Sequence, residues 1–309
     1  MTTRIVVVGS ANVDLVARAP HIPRPGETVL GRDFVTALGG KGANQAVGAA
    51  RLGAEVTFVA RLGRDSFGEQ CLQGYAAEGI HLDYVVRDET EPTGVALIAV
   101  ADDGENSILV ASGANMRLSP ADVQAAAGAI AGADVLLLQL EVPVDTVTAA
   151  AQLAREHGVR VVLNPAPARH LPADLLRLVD VITPNRIELA QLVDVSEEDA
   201  RQMSDEVLAK SALGIGPSAA VITLGSSGAL AAGSWGWQRV PAFRVDPVDT
   251  TAAGDAFNAG LAVALGQGST PLVEAVRYAN ACGALATMKM GAQPSLPPAD
   301  AVRRLMASV

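Results

Sequence analysis

A short run of small residues directly before a predicted helix is the segment of the chain best suited to chemistry. Residues 248–258 read VDTTAAGDAFN, and Ala252, Ala253 and Gly254 precede the helical pattern. The first N–H groups of a helix have no partner within it and attract anions, and glycine lets a phosphate approach closely. Asp255 lies in the first turn, where a carboxylate either acts as a base or only caps the helix. The segment therefore predicts an anion site beside a carboxylate, or a capped helix.

A second glycine-rich segment opens another predicted helix. Residues 39–46 read GGKGANQA, with three glycines in four positions. A ligand could lie against such a backbone, although the same residues also suit a plain turn. The segment is not a Walker P-loop, because GxxxxGK[ST] occurs nowhere in the chain. The GxGxxG fingerprint is absent after the first predicted strand, which disfavours a nicotinamide-dependent dehydrogenase.

Polar side chains follow several predicted strands at the point where each strand ends. They are Asn12, Asp14, Glu141, Asn164 and Asn185. Ligands of open α/β sheets bind at this edge. One such residue is usually a helix cap, but two carboxylates together with amides match the hydroxyl groups of a sugar.

Asn185 and Glu188 lie three residues apart at a predicted helix start. An amide and a carboxylate that face one cleft suit Mg²⁺, which prefers oxygen ligands and retains several waters. The same spacing also matches a capping box, which explains the pair without any metal.

A loop of glycine and serine follows a predicted buried strand. Residues 223–228 read TLGSSG. Such a loop could bind the phosphates of a nucleotide, or it could be a plain turn.

The composition is that of a globular protein that does not bind nucleic acid. Half of the 309 residues are apolar, 18% are charged and the net charge is −10, so no basic surface is expected. Cys71 and Cys282 are far apart and predicted to be buried thiols, and the four histidines have no zinc-site spacing. The apolar run near the N-terminus breaks at Gly9, so we expect no signal peptide and a cytoplasmic location.

Buried strands alternate with helices along most of the chain. Apolar runs at 5–8, 56–60, 135–140, 159–163, 181–183 and 220–223 are separated by helical patterns such as 43–52 and 144–157. Apolar runs without alternation are typical of a parallel sheet covered on both faces. The pattern predicts one α/β domain over residues 1–309, with a doubly wound, mostly parallel sheet flanked by helices.

Two stretches have no helices to cover them. Residues 13–38 contain Pro20, Pro23, Pro25, Gly26 and Gly31 between short β-like pieces at 15–17 and 28–30. Residues 94–111 read as a hairpin with its turn around 102–106. We expect them to form a small β-sheet lid whose apolar surface packs on a ligand and on a second copy of the chain, giving a homodimer.

These motifs occur together, in order, in one known family. The chain resembles the ribokinase-type carbohydrate kinases through GSANVDLV near its start, GGKGANQA, PTGVALIAV with GEN and SGAN at 92–115, LQLEVP, NPAP, TPNRIEL, VITLGSSGAL, VDTTAAGDAFN and GAQPSLP. The two segments that define the family, Gly-Gly and DTxxAGD, are intact. The resemblance covers nearly the whole chain.

The resemblance implies a role for each matching position. Sugar-binding positions are Asn12, Val13, Asp14, Gly40, Lys41, Gly42, Ala43, Asn44, Glu141 and Asp255, with Ile98 and Val110 covering the sugar from the lid. Nucleotide-binding positions are Asn185, Thr223, Leu224, Gly225, Ser226, Ser227, Gly228, Gly254, Asp255 and Asn280. By the same resemblance, Ala252, Ala253 and Gly254 would form the anion hole, and Asp255 would be the catalytic base. The resemblance also implies a K⁺ beside that hole, near Asp249, Thr251, Ala286, Lys289, Gly291 and Ser295. The Mg²⁺ site suggested above by the spacing of Asn185 and Glu188 would lie near the nucleotide.

The activity implied by the resemblance is phosphorylation of D-ribose at its 5-hydroxyl by ATP, with Mg²⁺ and K⁺. A carboxylate with an ordinary pKa of about 4 is a weak base toward an alcohol, so Asp255 would act late or by orienting the hydroxyl. The alternatives are a kinase of the same fold for deoxyribose, a nucleoside or a hexose derivative, and a sugar-binding protein without catalysis. The latter needs neither Asp255 nor Gly254.

Overall fold

The computed structural model describes residues 2–308 of the chain. Within these residues the strands are β1 (Arg4–Val8), β2 (Asn12–Ala19), β3 (Asp33–Gly39), β4 (Glu55–Gly63), β5 (His81–Asp88), β6 (Gly94–Ala101), β7 (Asn106–Ala111), β8 (Val135–Leu138), β9 (Arg160–Leu163), β10 (Val181–Ile182), β11 (Ala219–Thr223), β12 (Ala229–Gly233) and β13 (Gly236–Val240). The α-helices are α1 (Lys41–Arg51), α2 (Ser66–Ala77), α3 (Pro120–Ala125), α4 (Ala127–Ala131), α5 (Val144–Glu156), α6 (Ala173–Leu178), α7 (Arg186–Leu192), α8 (Glu197–Gln202), α9 (Asp205–Gly214), α10 (Ala253–Gly266), α11 (Leu272–Ala286) and α12 (Ala299–Ala307).

A nine-stranded sheet forms the centre of the molecule, in the order β13-β12-β11-β10-β9-β8-β1-β4-β5. Neighbouring strands in the series β11-β10-β9-β8-β1-β4-β5 are parallel. At the other edge, β12 pairs antiparallel with β11, and β13 pairs antiparallel with β12. The predicted doubly wound, mostly parallel sheet is therefore confirmed. The sequence patterns missed β12 because its Ala and Gly residues have low strand propensity, and they missed β5 and β13 because these edge strands are partly exposed.

Alternate side chains of the central strand β1 pack against helices on opposite faces of the sheet. Ile5 and Val7 belong to a cluster that includes residues of α1, α10 and α11. Val6 and Val8 belong to a second cluster that includes residues of α5 and α9. Burial of each such side chain contributes about 1.5–3 kcal/mol, so both faces of the strand are held. This packing fixes where β1 ends and where the polar residues after it emerge.

A separate four-stranded sheet has the order β3-β2-β6-β7. The β6–β7 hairpin occurs where the sequence predicted it, and the Ala101 N–H closes the turn by donating to the Glu105 carbonyl at 2.8 Å. The strand expected at 28–30 is wrong, because residues 20–32, which contain three prolines and two glycines, are irregular. The strand β3 begins after them and pairs antiparallel with β2.

Across residues 2–308, none of the helices combines the length and the apolar character that a membrane span requires.

Candidate active site

The turn before α10 has an unusual backbone conformation that aims the start of the helix at the carboxyl edge of the sheet. Ala252 precedes the helix with φ of 58°, in the left-handed region that non-glycine residues seldom adopt. A Cβ built on Gly254 would meet nothing within 4 Å, so the space beside this residue is open. The Ala253 N–H donates to the Thr250 carbonyl at 3.2 Å, so this amide of the expected anion hole is not free here.

Asp255 is only 6% exposed and is held through both carboxylate oxygens. Asn44 Nδ2 donates to Oδ2 at 2.9 Å, and Gln45 Nε2 donates to Oδ1 at 3.0 Å. No side chain caps α10, so the helix-capping interpretation of Asp255 is wrong. Burial raises the pKa of Asp255 above its usual value, against the opposing effects of Lys41, Asn44 and Gln45. The carboxylate is thus a better base than its ordinary pKa suggested.

Glycines at the start of α1 bring the helix against the end of β1. Gly40 has φ of 89°, and a Cβ there would lie 2.7 Å from the Asn12 backbone nitrogen. A Cβ on Gly42 would lie 2.5 Å from the Ser10 backbone nitrogen. We expected these glycines to make room for a ligand. In the structure they allow the start of α1 to lie close to the backbone after β1.

The carboxylates of Asp255, Glu141 and Glu188 act on the charge of Lys41 at this edge. Burial raises the pKa of Asp14 to about 6, and the negative charges of Glu141 and Asp255 add to the effect. Burial also raises the pKa of Glu188. Burial alone would lower the pKa of Lys41, but Asp255, Glu141 and Glu188 outweigh it and raise this pKa, so the ammonium stays charged.

Glu141 joins the segment after β8 to the start of α1. Its Oε2 accepts hydrogen bonds from the Ser10 hydroxyl and, at 2.9 Å, from the Lys41 backbone N–H. Three of the residues expected at the sugar therefore lie together. The Lys41 backbone is hydrogen-bonded to Glu141, and the charge of Glu141 contributes to the raised pKa of Asp14.

Asn12 has one fixed amide orientation. Asn115 Nδ2 donates to Asn12 Oδ1 at 2.7 Å, and Asn115 is itself fixed by hydrogen bonds to the backbone N–H and carbonyl of Ala11. Because its oxygen is taken, Asn12 offers N–H donors to a ligand. Asn115 belongs to the SGAN motif, but nothing in the sequence pattern distinguishes it from the other residues of that motif.

One buried acceptor at the site has no partner among the described residues. Asn44 Oδ1 is buried and accepts no hydrogen bond, although its Nδ2 is bonded to Asp255. Buried polar atoms are nearly always satisfied, so this oxygen is suited to a hydroxyl donor from a ligand. Val13 and Ala43, expected beside the sugar, are instead fully buried in the apolar core, so only their backbone is available to a ligand.

A second cleft of about 420 Å³ lies next to the loop after β11. It is lined by Asn185, Arg186, Ile187, Arg201, Thr223, Leu224, Gly225, Ser227 and Arg239. Five of the ten predicted nucleotide positions thus line this cleft, and Ser226 and Gly228 belong to the same loop without lining it. Asn280 is buried elsewhere, and its Nδ2 donates to the carbonyls of Val240 and Pro241 at 3.1 Å each. The three arginines of the cleft were not predicted.

The capping box at Asn185 and Glu188 is present in full. Asn185 Oδ1 accepts from the Glu188 N–H, and Glu188 Oε2 accepts from the Asn185 N–H, both at 2.8 Å. This leaves one oxygen of Glu188 outside the box. Within residues 2–308 no group of three His, Cys, Asp or Glu side chains is arranged to hold a metal ion.

The positions expected around K⁺ come together from two segments. Asp249 Oδ2 accepts from the Gly291 N–H at 2.8 Å, and its Oδ1 accepts from the backbone and hydroxyl of Thr251. The Asp249 N–H donates in turn to the Thr287 carbonyl at 3.0 Å. The segment before α10 is thereby joined to the loop after α11. Of the remaining expected positions, Ala286 ends α11, and Lys289 and Ser295 follow it in the chain.

Comparison with known proteins shows the family of the chain. A profile described as pfkB family carbohydrate kinase matches residues 2–299. The chain belongs to this family. Ribokinase of Haemophilus influenzae is 43% identical to this carbohydrate kinase over 301 residues, which cover 96% of each chain. Deoxyribokinase of Salmonella typhi is 38% identical over 254 residues, which cover 82% of each. The structure of Arabidopsis thaliana ribokinase complexed with ribose and ATP matches with a TM-score of 0.89 and 33% identity, over 99% of each chain.

The resemblance predicted from the sequence motifs is confirmed, since the family match spans almost the whole carbohydrate kinase. What the motifs did not reveal are the buried amides that contact the site, Gln45 and Asn115, because a polar residue inside a helix or loop has no periodic signal of its own.

Proposed function

We propose that this carbohydrate kinase transfers the γ-phosphoryl group of ATP to the 5-hydroxyl of D-ribose, giving ribose 5-phosphate. The observation that carries the proposal is the buried Asp255 at the start of α10, which accepts a hydrogen bond from Asn44 and is preceded by Gly254, beside which the space is open. Ribose as the acceptor is supported by the similarity to proteins named ribokinase.

The sugar pocket in this proposal is built from donors and acceptors of fixed direction. Asn12 donates, Asn44 Oδ1 accepts, and the carboxylates of Asp14 and Glu141 accept, which together match several hydroxyl groups. Lys41 adds a charged donor close to the carboxylates. Gly40, Gly42, Val13 and Ala43 contribute backbone and shape.

The chemical role of Asp255 is to accept the proton of the attacking hydroxyl. A base is most effective when its pKa approaches the working pH, and burial moves the pKa of Asp255 in that direction. The helix N-terminus at residues 252–254 stabilises the negative charge on the transferred group. Positioning and electrostatic stabilisation supply most of the rate in such transfers.

ATP is proposed to occupy the cleft lined by Asn185, Thr223, Leu224, Gly225 and Ser227, with Ser226 and Gly228 in the same loop. Asn280 does not line this cleft, and its proposed role is to hold the backbone at Val240 and Pro241, which follow Arg239 of the cleft in the chain. The arginines of this cleft match the charge of a polyphosphate. Because ATP is the co-substrate, we also propose a cytoplasmic location.

Mg²⁺ and K⁺ are proposed as the accompanying cations. Mg²⁺ usually binds one or two carboxylates besides waters and phosphates, and the free oxygen of Glu188 next to Asn185 fits that requirement. When bound, Mg²⁺ neutralises charge on the phosphates. The joined segments around Asp249, Thr251 and Gly291, with Ala286, Lys289 and Ser295 nearby, fit K⁺, which adds positive charge beside the start of α10.

The small sheet β3-β2-β6-β7 is proposed to be a lid and a dimerisation surface. Directly paired residues point to the same face of a sheet, and Asp14, Ala96 and Val110 form one such row, next to the row that contains Ile98. This face covers the sugar in our proposal. The opposite face carries Phe34, Leu97 and Leu109, which are 67%, 47% and 66% exposed, and it is proposed to pack on a second copy of the chain.

An ADP-release assay across sugars tests the proposed acceptor. The similarity to a deoxyribokinase makes 2-deoxyribose a second candidate. Loss of a hydroxyl leaves buried polar groups such as Asn12 or Asp14 unpaired, and such sites discriminate by up to about 10⁴-fold. We expect the highest kcat/KM with ribose. A higher kcat/KM with deoxyribose, adenosine or fructose would show that ribose is not the preferred acceptor. It would not contradict the assignment as a kinase.

A further inference from the structure

A chain of buried side-chain amides contacts Asp255 from the interior of the protein. Gln45 Nε2, which donates to Asp255 Oδ1, also donates to Asn164 Oδ1 at 3.1 Å. Gln45 Oε1 accepts from Gln139 Nε2 at 2.6 Å. Gln45 and Gln139 are fully buried. Residues from α1, from the segment after β8 and from the end of β9 therefore meet behind one carboxylate.

The chain of hydrogen bonds continues until it returns to the helical turn that carries Asp255. Asn164 Nδ2 donates to the Thr183 carbonyl at 3.3 Å, and the Thr183 hydroxyl donates to Asn258 Oδ1 at 2.6 Å. Asn258 Nδ2 then donates to the Gly254 carbonyl at 2.8 Å. The network thus connects the carboxylate to the backbone of the turn beside it.

The direction of the amide at Gln45 is determined by its partners. Both hydrogens of Nε2 are donated, to Asp255 and Asn164, and Oε1 receives the donor from Gln139. A rotated amide would place its oxygen against two acceptor oxygens, which is repulsive in a buried site. The packing is close as well, because a Cβ on Gly9 would lie 2.1 Å from Gln139 Oε1.

We propose that Gln45 and Gln139 are positioning residues of the phosphoryl transfer, which hold the Asp255 carboxylate in the orientation that receives the substrate proton. The inference rests on the proposed function, in which Asp255 is the base. Each carboxylate oxygen can accept more than one hydrogen bond, so the bonds to Gln45 and Asn44 leave room for the substrate hydroxyl. Neither glutamine is among the residues expected to contact sugar or nucleotide.

The positioning role predicts a change in turnover rather than in binding. Misplacement of a reacting group costs about 10²-fold in rate, so loss of the Gln45 donor is expected to lower kcat by about 10- to 100-fold. Lys41, Glu141, Asp14 and Glu188 are the charged groups that act on Asp255, and they remain in the variant. Loss of a donor to the carboxylate raises its pKa further, so the acidic limb of the kcat–pH profile moves to higher pH.

The test compares Gln45→Met and Gln139→Met with wild type at saturating ribose and ATP. We expect kcat to fall in both, more in Gln45→Met, with the acidic limb shifted upward and KM for ribose changed by less than about threefold. Thr146→Val is the matched control, because Thr146 is fully buried and donates one hydrogen bond, to the Leu118 carbonyl, in the apolar core around α5. The control lowers the melting temperature and leaves kcat and its pH profile unchanged.

Folded Gln45→Met and Gln139→Met enzymes with wild-type kcat and an unmoved acidic limb would overturn the inference. If Gln45→Met does not fold, Gln139→Met decides alone, since it removes the group that orients Gln45. The Asp255→Asn variant distinguishes failure of the proposed base from failure of the positioning role. An active Asp255→Asn enzyme refutes the proposed base itself, whereas an inactive one with unaffected glutamine variants refutes only the positioning role.

Discussion

The ionisation of Asp14 depends on its burial and on the carboxylates near it. Its pKa of about 6 results from burial and from the charges of Glu141 and Asp255. The charged form accepts hydroxyl hydrogen bonds, and it predominates only above the raised pKa. Ribose affinity is therefore expected to fall as the pH decreases below about 6, and to be nearly constant above it. Calorimetric titration with ribose between about pH 5 and 8 measures this dependence.

The Asp14→Asn variant has no carboxylate at this position that could ionise, so the pH dependence of ribose affinity that Asp14 causes should disappear. Hydrogen bonds to a charged group contribute about 1.5–3 kcal/mol, so ribose affinity at neutral pH is expected to fall by about 10- to 100-fold. The affinity of the variant should then change little across the same pH range. A variant with wild-type affinity, or with an unchanged pH dependence, would show that Asp14 does not contact the sugar.

At the scale of the element, the close contact between α1 and the end of β1 makes a specific prediction for Gly42→Ala. The added Cβ would lie 2.5 Å from the Ser10 backbone nitrogen and 2.7 Å from the Gly9 carbonyl carbon, so the helix must move away from the strand. We expect a loss of about 1–3 kcal/mol in the free energy of unfolding, measured by denaturant titration. Ribose affinity should fall as well, because Lys41 and Asn44 move with the helix.

Gly128→Ala is the matched control for that prediction. Gly128 lies within α4, and a Cβ there would meet nothing within 4 Å. Alanine is a better helix former than glycine by about 1 kcal/mol, so this variant is expected to be as stable as wild type or more stable. Equal stability of the two alanine variants would contradict the close packing of α1.

Helices and strands could be predicted from the sequence where burial gives a simple pattern of apolar residues. They were missed where burial leaves no such pattern. The strand β1 is apolar without interruption because helices cover both of its faces, and the sequence therefore indicates it directly. The strand β3 was missed because the expectation fell on the apolar pair at 29–30, whereas strand pairing with β2 starts only at Asp33. Pairing with a distant strand is a tertiary effect, which local propensity does not reveal.

The same limit applies to the site. Asp255 and the glycines could be predicted because their types and positions before helices carry a chemical meaning. Gln45 could not, because its contacts with Asp255, Asn164 and Gln139 join residues about a hundred or more positions apart. A single sequence contains no record of such contacts.

At the scale of the whole molecule, the exposed apolar face of the small sheet predicts a dimer. Leu109→Asp places a charge among Phe34 and Leu97 and is expected to give monomers at micromolar concentration, as measured by light scattering. Val207→Asp is the control, since Val207 is 44% exposed on α9, outside the small sheet, and should leave the wild-type mass unchanged. A monomeric wild-type protein would contradict the proposed dimer.

The turnover of Asp255→Asn decides whether Asp255 acts as the base of a sugar kinase. Asparagine keeps the size of the side chain but cannot take up the proton, so kcat is expected to fall by about 10²–10⁴-fold. The dissociation constant of ribose, measured on the same folded protein, should change by less than about threefold because Asn12, Asp14 and Glu141 remain. A folded variant that binds ribose normally and turns over within about tenfold of wild type would contradict the account.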